Sequence, residues 1–286
     1  MPIVLNGDAG SRPGMVATFF KRVAKHFANE VAVVTPNGRL LSHSLKEGLA
    51  MWQKLPIAER TTLEDLGKYD ATLDRVPPTG GLVLKVYARG LMRDPAGRLQ
   101  IYKTEVARSR EPGRDHLWLT QAEWQALVPD RLTPGEAVAV PAPVVERICR
   151  YGLIDLVRVG GNGGPRRPED VRAGAWRLTV AEVAPASVRL RLDGSARLVT
   201  HDRGSGAQDK EGKVDSYQVL GVLSYDRKRE RLTRFDVVGL SETGHYDEIH
   251  QQVVPLGVAL ELAEGRVPAD RVAPSSFGKD YFSKSR

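Results

Sequence analysis

The stretch Ser216–Glu242, SYQVLGVLSYDRKRERLTRFDVVGLSE, constrains the fold more than any other part of the chain. Tyr217, Val219, Gly221, Leu223 and Tyr225 occupy alternate positions, with Gln218, Leu220, Val222 and Ser224 between them. After a charged break, Leu232, Arg234, Asp236, Val238 and Leu240 fall on one face, and Phe235 and Val237 on the other. Successive strand side chains point to opposite faces, so two period-two runs around a polar break predict a hairpin.

Runs of the same kind recur on both sides of it. They are Leu82–Leu91, Leu99–Val106, His116–Leu119, Leu153–Val159, Trp176–Val183, Ser187–Leu192, Ala196–Thr200 and Val253–Leu262. Asp94–Gly97 reads as a turn joining the first two. Two short helices are expected among them. One is opened by a Thr120–Glu123 capping box, and the other covers Pro143–Tyr151 with a proline in its first turn. Parallel strands need a crossover between them, and the spacing after Ala175 leaves no room for one. The expectation is an α+β chain whose main part, residues 82–286, is an antiparallel β sandwich or barrel with a few short helices.

Residues 1–70 read differently. Val16, Phe19, Phe20, Val23 and Phe27 predict an amphipathic helix over Gly14–Ala28. Val31–Thr35 and Arg39–Leu41 are short strands about Asn37-Gly38, a dipeptide suited to tight hairpins. Ser44 and Glu47 form a capping box, and Leu45, Leu49 and Trp52 line a helix that stops at Leu55-Pro56. Residues 71–81 close on Pro77-Pro78 and Gly80-Gly81 and read as a linker.

The αββα order resembles the second half of a thioredoxin fold. VAVVTPNGRLL matches the terminal hairpin and SLKEGLAMWQKL the closing helix, over about the first 55 residues. The resemblance implies a redox scaffold, but this chain carries no Cys-x-x-Cys and no proline facing the active site ahead of the hairpin. With KLPIAER and the long β-rich part that follows, the chain is also similar to multidomain proteins of planctomycete-type bacteria.

The chemistry-bearing residues are sparse. Cys149 is the sole cysteine, so an intrachain disulfide or a cysteine metal cluster is not available. Within VVERICRYGL it reads as a small buried hydrophobe, the alternative being a thiolate activated by Arg147 and Arg150. The net charge of +7 is spread along the chain among interleaved acids and reads as a solvated basic surface. Lys85–Arg114, with Lys85, Tyr87 and Arg89 on one face, is the best window for nucleic acid. GGNGG at 160–164 lacks the Gly-Lys-Ser/Thr ending of a phosphate loop, although Arg166 and Arg167 after it are placed to clasp an anion. His245 and His250 lie five residues apart, a poor spacing for one ion on a helix or strand. With His201 from another loop they are the candidate metal ligands. No Gly-x-Ser-x-Gly elbow is present, and no pair of carboxylates is singled out for glycoside chemistry.

No catalytic residue is singled out by these patterns, and no cofactor is expected. No apolar run approaches the roughly 18 residues of a membrane helix, and the start has no basic segment followed by an apolar core. A cytoplasmic protein is expected, with a protein partner rather than a membrane or nucleic acid. The leading expectation is a non-catalytic binding or interaction protein, accessory to a thioredoxin-like redox protein. The rivals are a hydrolytic or metal-assisted enzyme around His201, His245 and His250, and a nucleic-acid binder using the 85–114 hairpin.

Overall fold

The computed structural model describes residues 33–35, 39–57, 59, 77–102, 112–157, 165–201, 212–247, 250–264, 273–275 and 281–282. The chain divides into two compact units, 1–75 and 76–286. In the first, β1 (Val33–Val34) pairs antiparallel with β2 (Leu40–Ser42), and α1 (Leu45–Lys54) follows. Ser44 caps α1 by accepting from the Glu47 amide at 3.4 Å. The return arm expected of a capping box is rerouted. Ser42 Oγ donates to the Glu47 carboxylate at 3.0 Å and accepts from the Ser44 amide at 2.9 Å. Gly48 lets α1 approach β1, since a Cβ there would stand 2.4 Å from that of Val33. The helix expected over Gly14–Ala28 and the Asn37-Gly38 turn lie outside the described residues.

The second unit holds a single sheet of nine strands: β3 (Leu82–Arg93), β4 (Leu99–Ile101), β5 (Gly113–Leu119), β6 (Ala137–Ala139), β7 (Val171–Val183), β8 (Ser187–Thr200), β9 (Lys213–Asp226), β10 (Arg231–Asp247) and β11 (Gln252–Leu262). Every pairing is antiparallel, as expected. β7 to β11 run as a meander, and β3 joins the far edge of β11. The other edge of β3 is shared end to end, by β5 against residues 82–88 and β4 against 91–93.

The closed barrel and the two-layer sandwich are both corrected. β6 at one edge does not pair with β5 or β4 at the other, and among the described residues this unit has no second sheet. A helix stands in place of the closure. α3 (Ala142–Tyr151), which follows the short α2 (Gln121–Gln125), touches both β5 and β7, so the sheet curls around it. Two glycines allow the approach: a Cβ on Gly174 would meet Val145, and one on Gly239 would meet Leu153, each at 2.7 Å. Val144, Val145, Ile148, Cys149 and Tyr151 are buried against Leu178, Leu190, Val219, Phe235, Val237 and Leu256. Such a core is stabilised mainly by apolar area removed from water, about 1.5–3 kcal/mol for each large side chain.

Several strand boundaries differ from expectation for identifiable reasons. Ser187–Leu192 and Ala196–Thr200 are one strand, because Gly194 makes room for the Trp176 ring across the pair. Leu153–Val159 forms no strand over its described part, Leu153–Val157. Leu153 and Ile154 are buried at the exit of α3, and Asp155 turns the chain by accepting from the Val157 amide at 3.1 Å. Leu232 faces inward, not outward with Arg234. Leu232 opposes Tyr225 and Arg234 opposes Ser224, so β10 carries one extra residue there and the alternation switches face. β4 is described as far as Ile101, and the rest of its expected run to Val106 lies outside, apart from Tyr102.

The Cys149 thiol is buried, and burial pushes its pKa up to about 12. Arg166 opposes that rise without cancelling it. The activated-thiolate alternative is thereby removed. Folded protein at neutral pH should stay unlabelled by a thiol reagent for as long as it remains folded, and denaturant should release one equivalent. Stoichiometric labelling under native conditions would contradict this burial.

Candidate functional site: the polar end of the sheet

The meander puts the end of β8, the start of β9, the end of β10 and the start of β11 at one end of the sheet. The starts of β7 and β5 and the end of β3 lie there too. The inward side is apolar through the middle of each strand and becomes polar at this end. On β9, Asp215 continues the inward series of Tyr217, Val219 and Leu223. On β10, Ser241, His245 and Asp247 continue that of Phe235 and Val237. Between Ser241 and His245 β10 advances four residues while β11 advances two, from Leu256 to Val254. The two extra residues preserve parity, so the bulge bends the strand and still leaves the imidazole facing inward.

The three candidate histidines are brought to this same end, but each is held by a different carboxylate. His245 Nδ1 lies 2.7 Å from Asp155 Oδ2, in a pair that is buried on both sides. Its ring fits over Gly90, where a Cβ would come within 3.2 Å of Cδ2. His250 Nδ1 lies 2.7 Å from Asp247 Oδ2, and the Tyr102 hydroxyl donates to the same oxygen at 2.6 Å. Gln252 donates to Tyr102 in turn at 2.6 Å, which ties the end of β4 to the β10–β11 turn. Burial and the bond to Asp247 raise the Tyr102 pKa, partly opposed by Gln252. His201 Nε2 lies 2.8 Å from Asp170 Oδ1, beside Arg167. Burial would raise the Asp170 pKa, but the bonds from His201 and Arg167 outweigh it and the net shift is downward. β9 separates β8 from β10, so their ladder positions are about 10 Å apart. Among the described residues no three His, Cys, Asp or Glu side chains converge where one metal ion could be held.

A fourth carboxylate, Asp215, accepts from Thr200 at 2.9 Å and Thr243 at 3.0 Å, with Lys213 Nζ at 3.4 Å. Next to it lies Arg166, which enters from the chain between α3 and β7. Its guanidinium donates to the Leu153 carbonyl, to the Cys149 carbonyl at 3.4 Å and to Thr200 Oγ1 at 3.3 Å. Arg167, which the sequence pairs with it as an anion clasp, instead points to Asp170 and His201. No motif singles out Asp155, Asp170 or Asp215, and Tyr217 stands out in the sequence only as an alternating strand residue. Asp215 had a signal, an acid at an inward position of an alternating strand, and Asp155 was an isolated acid in an apolar run.

The outward side carries a different feature. Asp193, Leu220, Val238, Ala259, Tyr87 and Arg114 form one continuous cross-strand row from β8 to β5. Leu220 is 57% exposed and Val238 55% exposed, and they oppose one another directly. Leu240 and Val222 flank them on the neighbouring rows, and Arg191, Asp236, Glu261 and Lys85 rim the patch. Lys85, Tyr87 and Arg89 do share this face. Two basic residues of the same window are matched by acids, Arg93 by Glu242 and Arg98 by Asp94. Among the described residues no helix is long and apolar enough to cross a membrane. No protein-family model, curated protein or solved structure matches the chain.

Proposed function

We propose that the chain is a non-catalytic binding protein that docks a partner protein on the outer face of its sheet. The carrying observation is the Leu220–Val238 row, an exposed apolar centre with a charged rim. Scattered exposed apolar residues are ordinary on a protein surface, whereas a contiguous apolar patch with a polar border has the anatomy of an interface. The polar end supports the same reading, because its histidines hold carboxylates and pin connections between strands. The N-terminal hairpin and following helix make a thioredoxin-like redox protein of the same source the first partner to test. Calorimetry against such a protein should give saturable binding that weakens at least tenfold in Leu220→Glu/Val238→Glu. These outward positions should cost little fold stability, roughly 0.5 kcal/mol each. No binding, or equal affinity of the double variant, would remove the proposal.

One observation favours an enzyme instead. Asp155 orients the buried His245 as a carboxylate orients a general base. Hydrolytic turnover that disappears in His245→Asn while folding is retained would establish that reading over the first.

A further inference from the structure

Arg166 is buried, yet no carboxylate lies in hydrogen-bond contact with it among the described residues. Its two terminal nitrogens are spent on two carbonyls and a threonine, and Asp215 is reached only through that threonine. Its Nε is buried and has no hydrogen-bond partner among the described residues. The hydroxyl of Tyr217, a fully buried residue, meets no group in full hydrogen-bond geometry among the described residues; the Arg166 guanidinium lies close enough to oppose the rise that burial causes in its pKa, but as a donor it gives the phenol proton no acceptor. Among the described residues the nearby acids do not supply the missing acceptor: Asp155 is taken up by His245, and Asp215 by Thr200, Thr243 and Lys213. An unmet buried donor is costly, and a buried cation without a counter-charge more so.

We infer that the polar end of the sheet holds an oxyanion, a carboxylate or a phosphate-type group, accepted from Arg166 Nε and Tyr217 Oη. A guanidinium N–H beside a phenol O–H can donate twice to one group placed between them, which suits an anionic oxygen and disfavours a cation. This site faces inward and is independent of the outer apolar row, so either can fail without the other.

Tyr217→Phe is the discriminating variant, since it keeps the ring and removes only the hydroxyl. Binding of inorganic phosphate, sulfate and acetate would be followed by calorimetry, and melting temperature read in each salt against chloride at equal ionic strength. Saturable binding of at least one oxyanion is expected in the wild type, weakened about tenfold in Tyr217→Phe and more than that in Arg166→Lys. Without an oxyanion, Tyr217→Phe should melt no lower than wild type, because it discards an unmet polar group. With the oxyanion present, the wild type should gain more than the variant. If Arg166→Lys does not fold, Tyr217→Phe alone decides. Preference for phosphate over acetate would identify a phosphate-type ligand, and the reverse a carboxylate. Three results overturn the inference: no saturable binding of any of the three anions, equal affinity in both variants, or a high-resolution structure in phosphate with water alone on Nε and Oη.

Discussion

Replacing Tyr281 with alanine should lower the stability of the 76–286 unit by about 3–5 kcal/mol, the range for truncating a large buried ring. β5 pairs with β3 along one edge, and no strand covers its other edge among the described residues. The C-terminal segment caps that edge. The Trp118 amide donates to the Tyr281 hydroxyl at 2.8 Å, and the hydroxyl lies 3.3 Å from the Trp118 carbonyl. One phenol thus meets both groups that a neighbouring strand would have met. Arg147 secures the ring from the other side. It donates to the Tyr281 carbonyl, stacks on Tyr281 and Phe282, and pairs with Glu123 of α2. Upstream, Ser275 bonds Asp115 of β5 through its amide at 2.8 Å and its hydroxyl at 2.6 Å. Tyr281→Phe should lose only the hydroxyl's share, about 1–3 kcal/mol. Urea midpoints at constant slope would separate the two variants. The alanine variant should also self-associate on size-exclusion chromatography, because a bared edge strand is a template for pairing. Midpoints that match wild type in both variants would show that the tail is not holding the edge.

The strands were legible where local pattern and tertiary setting agree. β9 alternates without interruption, and Tyr217, Val219 and Leu223 face inward as their spacing implies. The pattern misled wherever an extra residue entered a strand. One bulge turned Leu232 inward and another, at Ser241–His245, bent β10, and neither changes local composition enough to announce itself. Gly244 and the polar Ser241-Glu-Thr243 before it are the trace of the second. Closure was illegible for a different reason. Whether a curved antiparallel sheet zips into a barrel depends on what fills the gap between its edges. Here that element is α3, an amphipathic helix whose sequence does not say which strands it will touch. The histidines were visible as residues but not as a site, since Asp155, Asp170 and Asp247 reach them through the tertiary fold and the β10–β11 turn. Arg166 was visible as a cation in a stretch rich in glycine and proline, but nothing local marked it as buried. Its burial comes from lying against Leu153 and Thr200, contacts that join residues 13 and 34 positions apart.

Stability should fall steeply in alkali, beginning near pH 9 and well before the exposed lysines lose their charge. Burial pushes Cys149 from 9.0 to about 12 and Tyr217 from 10.0 to about 12, with the Arg166 charge opposing both. Burial also raises Tyr281, against the bond from Trp118. All three groups are neutral in the folded chain over the window in which the unfolded chain gives up its protons. The unfolded state then binds fewer protons than the native one, so the slope of unfolding free energy with pH is negative. The stabilisation is fully present below pH 9 and is lost as pH rises through the folded values. By pH 11 the unfolded chain has ionised Cys149 over two pH units and Tyr217 over one. At 1.36 kcal/mol per unit this removes roughly 4 kcal/mol, a large part of an ordinary domain's stability. Two measurements check the sign and the source. Tyrosinate absorbance should include a fraction that develops only with the loss of circular dichroism. Cys149→Ala should be less stable than wild type at neutral pH, with the deficit shrinking by roughly 3 kcal/mol toward pH 11. A deficit constant across that range would mean the thiol ionises equally in both states, and that the interior around α3 is wetter than the packing of Ile148 and Leu153 allows.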